Sequence, residues 1–289
     1  MNTDYFNGQF IPHEQVAISP DDRGFLFGDS VYEVIRWYGG SFFDMEGHMK
    51  RLQRSLAEIR IYWDGVQSFP KVAEELIHIN ELGDGCSLIY LQVTRGVAPR
   101  LHSFPDPPVA PTVYAFARRQ SIDTLTLEKG VTIDLIPDPR WNRCDIKTTA
   151  LLANVIAYQD AHDAGHAEVC FVRDNKITEA AHSNIFLVKN GTIYTHPEST
   201  YILSGITRKN VIAIAAENNI PLIEEAVNVS MLPYLHEAFF TNTSGEIIPV
   251  LKIGDQQIGE GHPGEVTRNL QRLFREWVIA RSKEQRVGN

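Results

Sequence analysis

Two runs near the amino terminus have the hydrophobic periodicity of amphipathic helices. In MKRLQRSLAEIRI (49–61), Leu52, Leu56 and Ile59 fall on one helical face. SFPKVAEELIHINEL (68–82) begins with Ser68 and Pro70 in a cap-like arrangement that is typical of a helix start. Three further runs, DSVYEVIRWYGGSFFDM, SLIYLQVTRG and TVYAFARR, are rich in β-branched and aromatic residues and predict strands. Helices and strands are segregated more than they alternate, which predicts an α+β fold.

The rest of the chain predicts a second set of elements. Strand patterns fill GVTIDLIPD, AEVCFVRD, KITEAAHSNIFLVKNGTIYTHP and EAFFTNTSGEIIPVLKIGDQQI. Helical patterns fill LLANVIAYQDAHDAG, ITRKNVIAIAAENN and the terminal run VTRNLQRLFREWVIARS. A short polar stretch, QSIDT, separates this set from the first, and 289 residues are enough for two cores. We therefore predict a small N-terminal α+β domain over 1–119, an interdomain linker over 120–124 and a larger C-terminal α+β domain over 125–289.

Charge and cysteine usage narrow the classes of function. The net charge is −9 with acids and bases interleaved, which argues against a nucleic-acid or anionic-membrane partner. No apolar run is long enough to cross a bilayer. The three cysteines, Cys86, Cys144 and Cys170, have neither metal-ligand spacing nor a disulfide pattern, so we predict no metal site. The first residues lack the basic and apolar regions of a signal peptide, and a cytoplasmic enzyme fits best.

Lys147 is the candidate nucleophile. A lysine amine condenses with a carbonyl cofactor only when its surroundings favour the uncharged form. Ile146 precedes it in an extended segment and the apolar run LLANVIA follows soon after, so we expect its stem to be drawn towards a protected site. The alternative is an ordinary solvated lysine, which most lysines are.

Two hydroxyl-rich segments are candidates for binding a phosphate. SGITRKNV places Gly205 before a helix and Thr207 in its first turn, where backbone N–H groups lack internal partners. TNTSGE (241–246) is a second such turn. Arg51, off the leucine face of its helix, could add a charge-assisted contact. The alternative for the first segment is a capped surface helix, and for the second an ordinary turn. The alternative for Arg51 is a solvated arginine on the helix surface.

Two further groups suit the ring of a cofactor and a substrate. Glu179, in a strand-rich region, would need a cationic partner if buried, and a protonated pyridine nitrogen is such a partner. Arg100 and His102 flank Leu101 in VTRGVAPRLHSFP, and an extended backbone would direct both to one side as donors for a carboxylate. Tyr32 would add a phenolic donor. A strand-end acid and a solvated polar loop are the simpler alternatives.

Six segments together resemble the fold-type IV pyridoxal-phosphate aminotransferases over essentially the full chain, and within them the D-amino-acid transaminase branch. In order, they are DRGFLFGDSVYEV, VTRGVAPRLHSFP, RWNRCDIKTTALLANV, ITEAAHSNIFLV, YTHPESTYILSGITR and FFTNTSGEIIPV. The resemblance implies a two-domain α+β enzyme that binds pyridoxal 5'-phosphate. It also implies ping-pong transfer of an amino group between D-amino acids, such as D-alanine or D-glutamate, and 2-oxo acids, such as pyruvate or 2-oxoglutarate.

The resemblance also implies roles for individual residues. Lys147 would form the Schiff base and carry the proton, and Glu179 would face the ring nitrogen. The other cofactor contacts would come from Arg51, Leu203, Ile206, Thr207 and Thr243, and the substrate carboxylate would meet Tyr32, Arg100 and His102. The family is dimeric, so the resemblance implies a homodimer whose active site needs both chains.

One segment departs from the pattern of the similar enzymes. After Glu179 the chain reads AAHSN, where those enzymes tend to have a glycine and a run of serines, so His182 puts the side-chain preference in question. A branched-chain L-amino-acid transaminase or an aminodeoxychorismate lyase shares the fold, but those relatives lack the Arg100 and His102 pair. A more remote alternative is a protein that binds the cofactor without turnover.

Overall fold

The computed structural model describes the backbone of residues 2–287 and the side chains of residues 2–280. Within this part the chain forms two compact units. The first includes the chain up to Ser121 together with Ile146–Leu151, and the second comprises Ile122–Asp145 and Leu152–Ala280. The short segment that carries Lys147 therefore belongs to the first unit, although the second unit begins before it in the sequence.

The first unit contains a five-stranded antiparallel sheet in the order β2-β1-β5-β4-β3. Its elements are β1 (Thr3–Phe6), β2 (Gln9–Pro12), α1 (Arg23–Phe27), β3 (Ser30–Tyr38), α2 (Met45–Glu58), α3 (Phe69–Ile79), β4 (Cys86–Thr94) and β5 (Val113–Arg119). The predicted leucine face of α2 is buried, and Leu52 and Leu56 lie in one apolar cluster with Ile35 and Ile89 of the sheet. Packing on the sheet thus explains why α2 is amphipathic.

The second unit contains a nine-stranded sheet in the order β11-β10-β9-β12-β13-β6-β7-β8, with β14 paired to β13. Its elements are α4 (Thr124–Lys129), β6 (Val131–Pro137), α5 (Leu152–Asp163), β7 (Glu168–Arg173), β8 (Lys176–Ala180), β9 (Asn184–Lys189), β10 (Thr192–Thr195), α6 (Ile206–Glu217), β11 (Leu222–Glu224), β12 (Glu237–Asn242), β13 (Glu246–Ile253), β14 (Gln256–Gln257) and α7 (Glu265–Val287). Strands β6, β7 and β13 are parallel neighbours, and most other pairs are antiparallel. The α+β class predicted from the sequence is confirmed.

Several short elements were not predicted. The β1–β2 hairpin turns at Asn7 and Gly8, which both have positive φ, as the tight Asn-Gly turn requires. In the predicted linker, Asp123 accepts hydrogen bonds from the backbone of Leu125 and Thr126 and so caps α4. Hydrophobic periodicity hardly identifies elements of only four to six residues. The residues of turns and helix caps are the better sequence signal for such short elements.

Candidate active site

Lys147 lies in a short extended segment at the edge of the first unit's sheet. The backbone N–H of Tyr32 donates to the Lys147 carbonyl at 3.0 Å, and that of Thr149 donates to the Ser30 carbonyl at 3.2 Å. The Lys147 N–H itself donates to the hydroxyl of the buried Ser55 at 3.3 Å. Because β3 is an edge strand, its free backbone groups accept this added segment. The lysine backbone is thereby fixed.

The Lys147 side chain is partly buried and its Nζ lies 4.2 Å from the centre of the Tyr32 ring. This distance suits a cation–π contact. Tyr32 stacks in turn on Tyr90, whose pKa is raised to about 12 by burial, with a smaller effect from Tyr32. Two of the groups selected from the sequence, Lys147 and Tyr32, are therefore in direct contact.

The apolar run after Lys147 does not bury the lysine as expected. In α5 the side chains of Leu152, Val155 and Ile156 are exposed, the first of them to 72%. The expectation that this run draws the lysine stem inwards is wrong. The edge of the sheet and Tyr32 provide the partial burial of Lys147 instead.

Arg100 and His102 lie in the exposed loop that follows β4, and both contact Phe27. The Arg100 guanidinium is 5.1 Å from the centre of the Phe27 ring, and the His102 ring is 5.6 Å from it. The loop is anchored by the buried Arg23, whose Nη1 donates to the Leu101 carbonyl at 2.6 Å. The two side chains named from the Arg-x-His spacing thus contact the same aromatic ring.

Asp29 connects this anchor to a second arginine. It accepts from Arg23 Nε at 2.9 Å and binds Arg95 through both carboxylate oxygens, at 2.7 and 2.9 Å. Arg95 also lies 3.6 Å from the centre of the Phe104 ring, three residues after Leu101 in the loop. Asp29 therefore binds both arginines that contact this part of the loop, and neither Arg23 nor Asp29 was selected from the sequence.

Arg51 is buried and bound to Glu33 of β3. Its Nε and Nη2 donate to the two carboxylate oxygens at 2.8 and 2.7 Å, and His48 Nδ1 lies 2.8 Å from the same carboxylate. Burial alone would raise the pKa of Glu33, but Arg51 and His48 lower it to about 2. Arg51 is therefore not a solvated helix-surface arginine, and the planar pairing fixes the direction of its guanidinium.

Glu179 is buried at the end of β8 and has a cationic partner that the sequence analysis did not identify. Its Oε1 accepts from Arg140 Nη1 at 2.6 Å, and Arg140 also binds Asp138, whose side chain is buried, at 3.0 and 3.1 Å. Burial raises the pKa of Glu179 to about 7, although the attraction of Arg140 opposes this rise. A further cation at this carboxylate would favour its charged form.

Asn184 links Glu179 to the loop before α6. The Asn184 amide donates to Glu179 Oε2 at 3.0 Å and to the Leu203 carbonyl at 2.9 Å, and the Leu203 N–H donates to the same Oε2 at 2.9 Å. Gly205 follows, and a Cβ on it would lie 2.0 Å from Asn184 Oδ1. A glycine is needed at 205 because the loop passes so close to this amide.

The amino terminus of α6 has no side-chain cap. Gly205 provides no capping group, and the first helical bond is donated by the Lys209 N–H to the Gly205 carbonyl. The buried Ile206 and Thr207 form the first turn, where backbone N–H groups attract an anion. The 242–245 turn lies at the same end of the sheet, because Thr241 pairs with Asn184 in register. The residues of the second unit therefore fit a phosphate and a protonated pyridine ring.

The second unit brings together Glu179, Leu203 and the start of α6, and the first unit brings together Lys147 with Tyr32, and Arg100 with His102. Sequence reasoning missed Arg140 and Asn184, which hold Glu179. Both residues lie in segments that carry the resemblance. The one sequence argument that could have identified them is that a buried carboxylate requires hydrogen-bond donors. Among the described residues no group of three or more histidine, cysteine, aspartate or glutamate side chains could hold a metal ion. No helix in the described part of the chain is both long and apolar enough to span a membrane.

Sequence comparison finds close likeness to enzymes of known activity. The chain is 42% identical over 279 residues to a D-alanine aminotransferase of Staphylococcus haemolyticus, and the aligned region covers 96% of this chain and 98% of that protein. It is 40% identical over 276 residues to a D-alanine aminotransferase of Bacillus licheniformis, covering 95% and 96% of the two chains. The pattern that defines Amino-transferase class IV matches residues 30–253.

Solved structures share the fold. The Escherichia coli branched-chain amino acid aminotransferase superimposes with a TM-score of 0.87 at 25% identity, covering 94% of this chain and 93% of that one. The branched-chain amino acid aminotransferase of T.th. with pyridoxamine 5'-phosphate also gives a TM-score of 0.87 at 25% identity, covering 97% and 95%. The family match and the full-length likeness together show that this chain belongs to the class IV aminotransferases, a family of pyridoxal-phosphate-dependent enzymes.

Proposed function

We propose that this chain transfers the amino group of D-amino acids to 2-oxo acids, with pyridoxal 5'-phosphate held at Lys147. The observation that carries the reaction class is the buried Glu179 carboxylate, held by Arg140 beside the uncapped start of α6. The choice of D-amino acids is supported by the 42% identity to a D-alanine aminotransferase and by the Arg100 and His102 pair. D-alanine and D-glutamate are the donors, and pyruvate and 2-oxoglutarate are the acceptors that we propose.

Lys147 is assigned two tasks. Its Nζ would hold the aldehyde of the cofactor, and as a free amine it would carry the proton that leaves the substrate α-carbon. The bound cofactor supplies an electron sink for the carbanion formed when the α-proton leaves. The Tyr32 ring, 4.2 Å from Nζ, restricts the positions that the amine can take.

Glu179 is assigned to the ring nitrogen of the cofactor. A carboxylate that is buried and already held by Arg140 and Asn184 keeps a fixed position, so its charge acts at one ring atom. Leu203, whose backbone N–H is bonded to Glu179, would pack against the ring face. The carboxylate would favour the protonated form of the ring nitrogen.

The phosphate is assigned to groups with different chemistry. The backbone N–H groups of Ile206 and Thr207, together with the Thr243 turn, provide neutral donors, and Arg51 provides a charge. The substrate carboxylate is assigned to Tyr32, Arg100 and His102. The exposed side chains of Arg100 and Leu101 are consistent with a loop that a second copy of the chain covers.

The resemblance supports a homodimer, and the cysteine usage favours the cytoplasm. The domain division that we propose is 1–119, 120–124 and 125–289. The exposed apolar stripe of Leu152, Val155 and Ile156 on α5 is a further surface that an assembly could cover. Sedimentation of the purified protein tests the oligomeric state directly.

The fold likeness to branched-chain aminotransferases makes an L-specific enzyme the second candidate. The two are separated by the visible spectrum of the purified protein with its cofactor. D-alanine should convert the spectrum of the aldehyde form to that of the amine form, and L-leucine should leave it unchanged. The opposite response would show that the assigned stereochemistry is wrong, and a lack of response to any amino acid would favour a protein that only binds the cofactor.

A further inference from the structure

An ion-pair chain, formed by Arg173, Asp138, Arg140 and Glu179, lies in the second unit. Arg173 Nη2 is 3.1 Å from Asp138 Oδ2, and Arg140 Nε is 3.0 Å from Asp138 Oδ1. Arg140 Nη1 in turn donates to Glu179 Oε1 at 2.6 Å. The side chains of Asp138, Arg140 and Glu179 are buried, and that of Arg173 is 15% exposed. Opposite charges alternate along the ion-pair chain, so it is neutral overall when all four groups are ionised.

The guanidinium of Arg140 is held from several directions. Its Nη2 donates to Asp138 Oδ2 at 3.1 Å and to the Tyr201 carbonyl at 3.2 Å. Its central carbon lies 4.4 Å from the centre of the fully buried Phe171 ring. A planar guanidinium with fixed partners on its edge and an aromatic ring on its face keeps one orientation. The charge of Arg140 therefore acts on Glu179 from a fixed place.

Glu179 has room for one more donor and feels two opposing neighbours. Its Oε1 binds Arg140, and its Oε2 accepts from the Asn184 amide and the Leu203 N–H. These are three donors to a carboxylate that offers about four acceptor sites. Burial raises the pKa of Glu179 to about 7 and Asp138 adds to the rise, whereas Arg140 opposes it. The charge that Glu179 offers to a further donor thus depends on Arg140 and Asp138.

We propose that Arg140 is a positioning residue that sets, through Glu179, how strongly the bound cofactor holds its protons. The inference rests on the proposed function, because it requires the ring nitrogen of the cofactor at Glu179. A protonated ring nitrogen would add one positive charge to the neutral ion-pair chain. The positive charge of Arg140 opposes that addition, and the negative charge of Asp138 favours it.

The other titratable groups near Glu179 are the same in every protein that the test compares. Cys144 follows Arg140 in the same loop, and Cys170 lies on β7 beside the end of β8. Burial raises the pKa of both thiols, that of Cys144 to about 11, so both are neutral at moderate pH. Glu168 of β7 and His182, whose Nδ1 is 2.8 Å from Glu168 Oε2, complete the set. Differences between variants therefore report the altered charge alone.

The test measures the pH at which the visible spectrum of the cofactor-loaded protein changes. Arg140→Met should raise this pH by about one unit and Asp138→Asn should lower it by about one unit, as expected for a single charge a few ångström away. Arg140→Lys keeps the charge and should stay close to the unaltered protein. Arg268→Met is the matched control and should cause no shift, because Arg268 binds the Leu127 carbonyl elsewhere in the second unit.

Opposite shifts distinguish an electrostatic role from a merely structural one, because loss of packing would move both variants in the same direction. Asp138→Asn retains an acceptor oxygen for Arg140, so it provides the test even where Arg140→Met does not fold. Where the spectrum is constant over the stable pH range, the magnetic resonance shift of an isotopically labelled ring nitrogen replaces it. Opposite displacements are again expected for the two variants.

Glu179→Gln separates this inference from the proposed function. If this variant leaves the spectral pH or the ring-nitrogen signal unchanged, the ring nitrogen is not at Glu179 and both proposals fail at the cofactor. A response to Glu179→Gln with no shift, or shifts of the same sign, in Arg140→Met and Asp138→Asn would overturn the role of Arg140 alone. A lack of turnover with every D-amino acid would overturn the proposed donors and leave the spectral shifts as they are predicted.

Discussion

The close approach of Gly205 to Asn184 leads to a quantitative prediction. In Gly205→Ala the new Cβ would lie 2.0 Å from Asn184 Oδ1, so the amide must move. The amide then loses its hydrogen bond to Glu179 Oε2, and a bond to a charged group contributes about 1.5–3 kcal/mol to stability. It also loses its hydrogen bond to the Leu203 carbonyl, which contributes about 0.5–1.5 kcal/mol. We expect the free energy of unfolding to fall by about 2–4.5 kcal/mol and the affinity for the cofactor to fall with it.

Urea unfolding of the apoenzyme measures the first effect and titration with the cofactor the second. Gly83→Ala is the matched control, because no atom lies within 4 Å of a Cβ at that position and its φ is not positive. The double variant Gly205→Ala with Asn184→Ala should be less destabilised than the sum of the single variants, since the collision is absent when Asn184 is short. An unfolding free energy for Gly205→Ala equal to that of Gly83→Ala would refute the reasoning.

Three other perturbations follow from the charged pairs. Arg140→Met leaves the buried Glu179 carboxylate without its ion partner and should cost about 3–5 kcal/mol of unfolding free energy, measured by urea denaturation. Glu33, with its pKa lowered to about 2, contributes up to about 3 kcal/mol that is present above pH 4.5 and is lost as the pH falls towards 2. Acid titration of stability should therefore be flatter in Glu33→Gln than in the unaltered protein. Arg23→Ala should loosen the loop that carries Arg100 and raise KM for D-alanine with little change in kcat, as steady-state kinetics would record.

Each of these has a contrary result. Retention of full stability by Arg140→Met would mean that Glu179 is compensated in another way. An acid titration of Glu33→Gln as steep as that of the unaltered protein would place the acid sensitivity elsewhere. A fall in kcat alone for Arg23→Ala would separate the loop anchor from substrate binding.

Much of the fold was predictable because its longer elements carry strong periodic patterns. The leucines of α2 and the alternating residues of β4 and β5 identify both helix and strands, since each buries one face in a common core. The short α4 was not predictable from periodicity, because its signal is a single cap residue, Asp123. Element length thus decided what the pattern could reveal.

The candidate site was less accessible to sequence reasoning. The sequence named Glu179 as an acid that would need a cationic partner if buried, and it is buried, but Arg140 lies 39 positions earlier and no local pattern connects the two. The burial of Lys147 was predicted from an apolar run that proves to be exposed, because exposure of Leu152 depends on which face of α5 the core uses. These contacts depend on how elements far apart in the sequence pack together, and such packing cannot be inferred from local sequence patterns.

The central claim is that the cofactor is attached to Lys147. Borohydride reduction of the purified protein fixes an imine to the lysine that forms it, and peptide mass spectrometry locates that lysine. The account predicts a single modified peptide, the one that contains Lys147, and no fixation in Lys147→Ala. Attachment at another lysine, or undiminished transamination by Lys147→Ala, would contradict it.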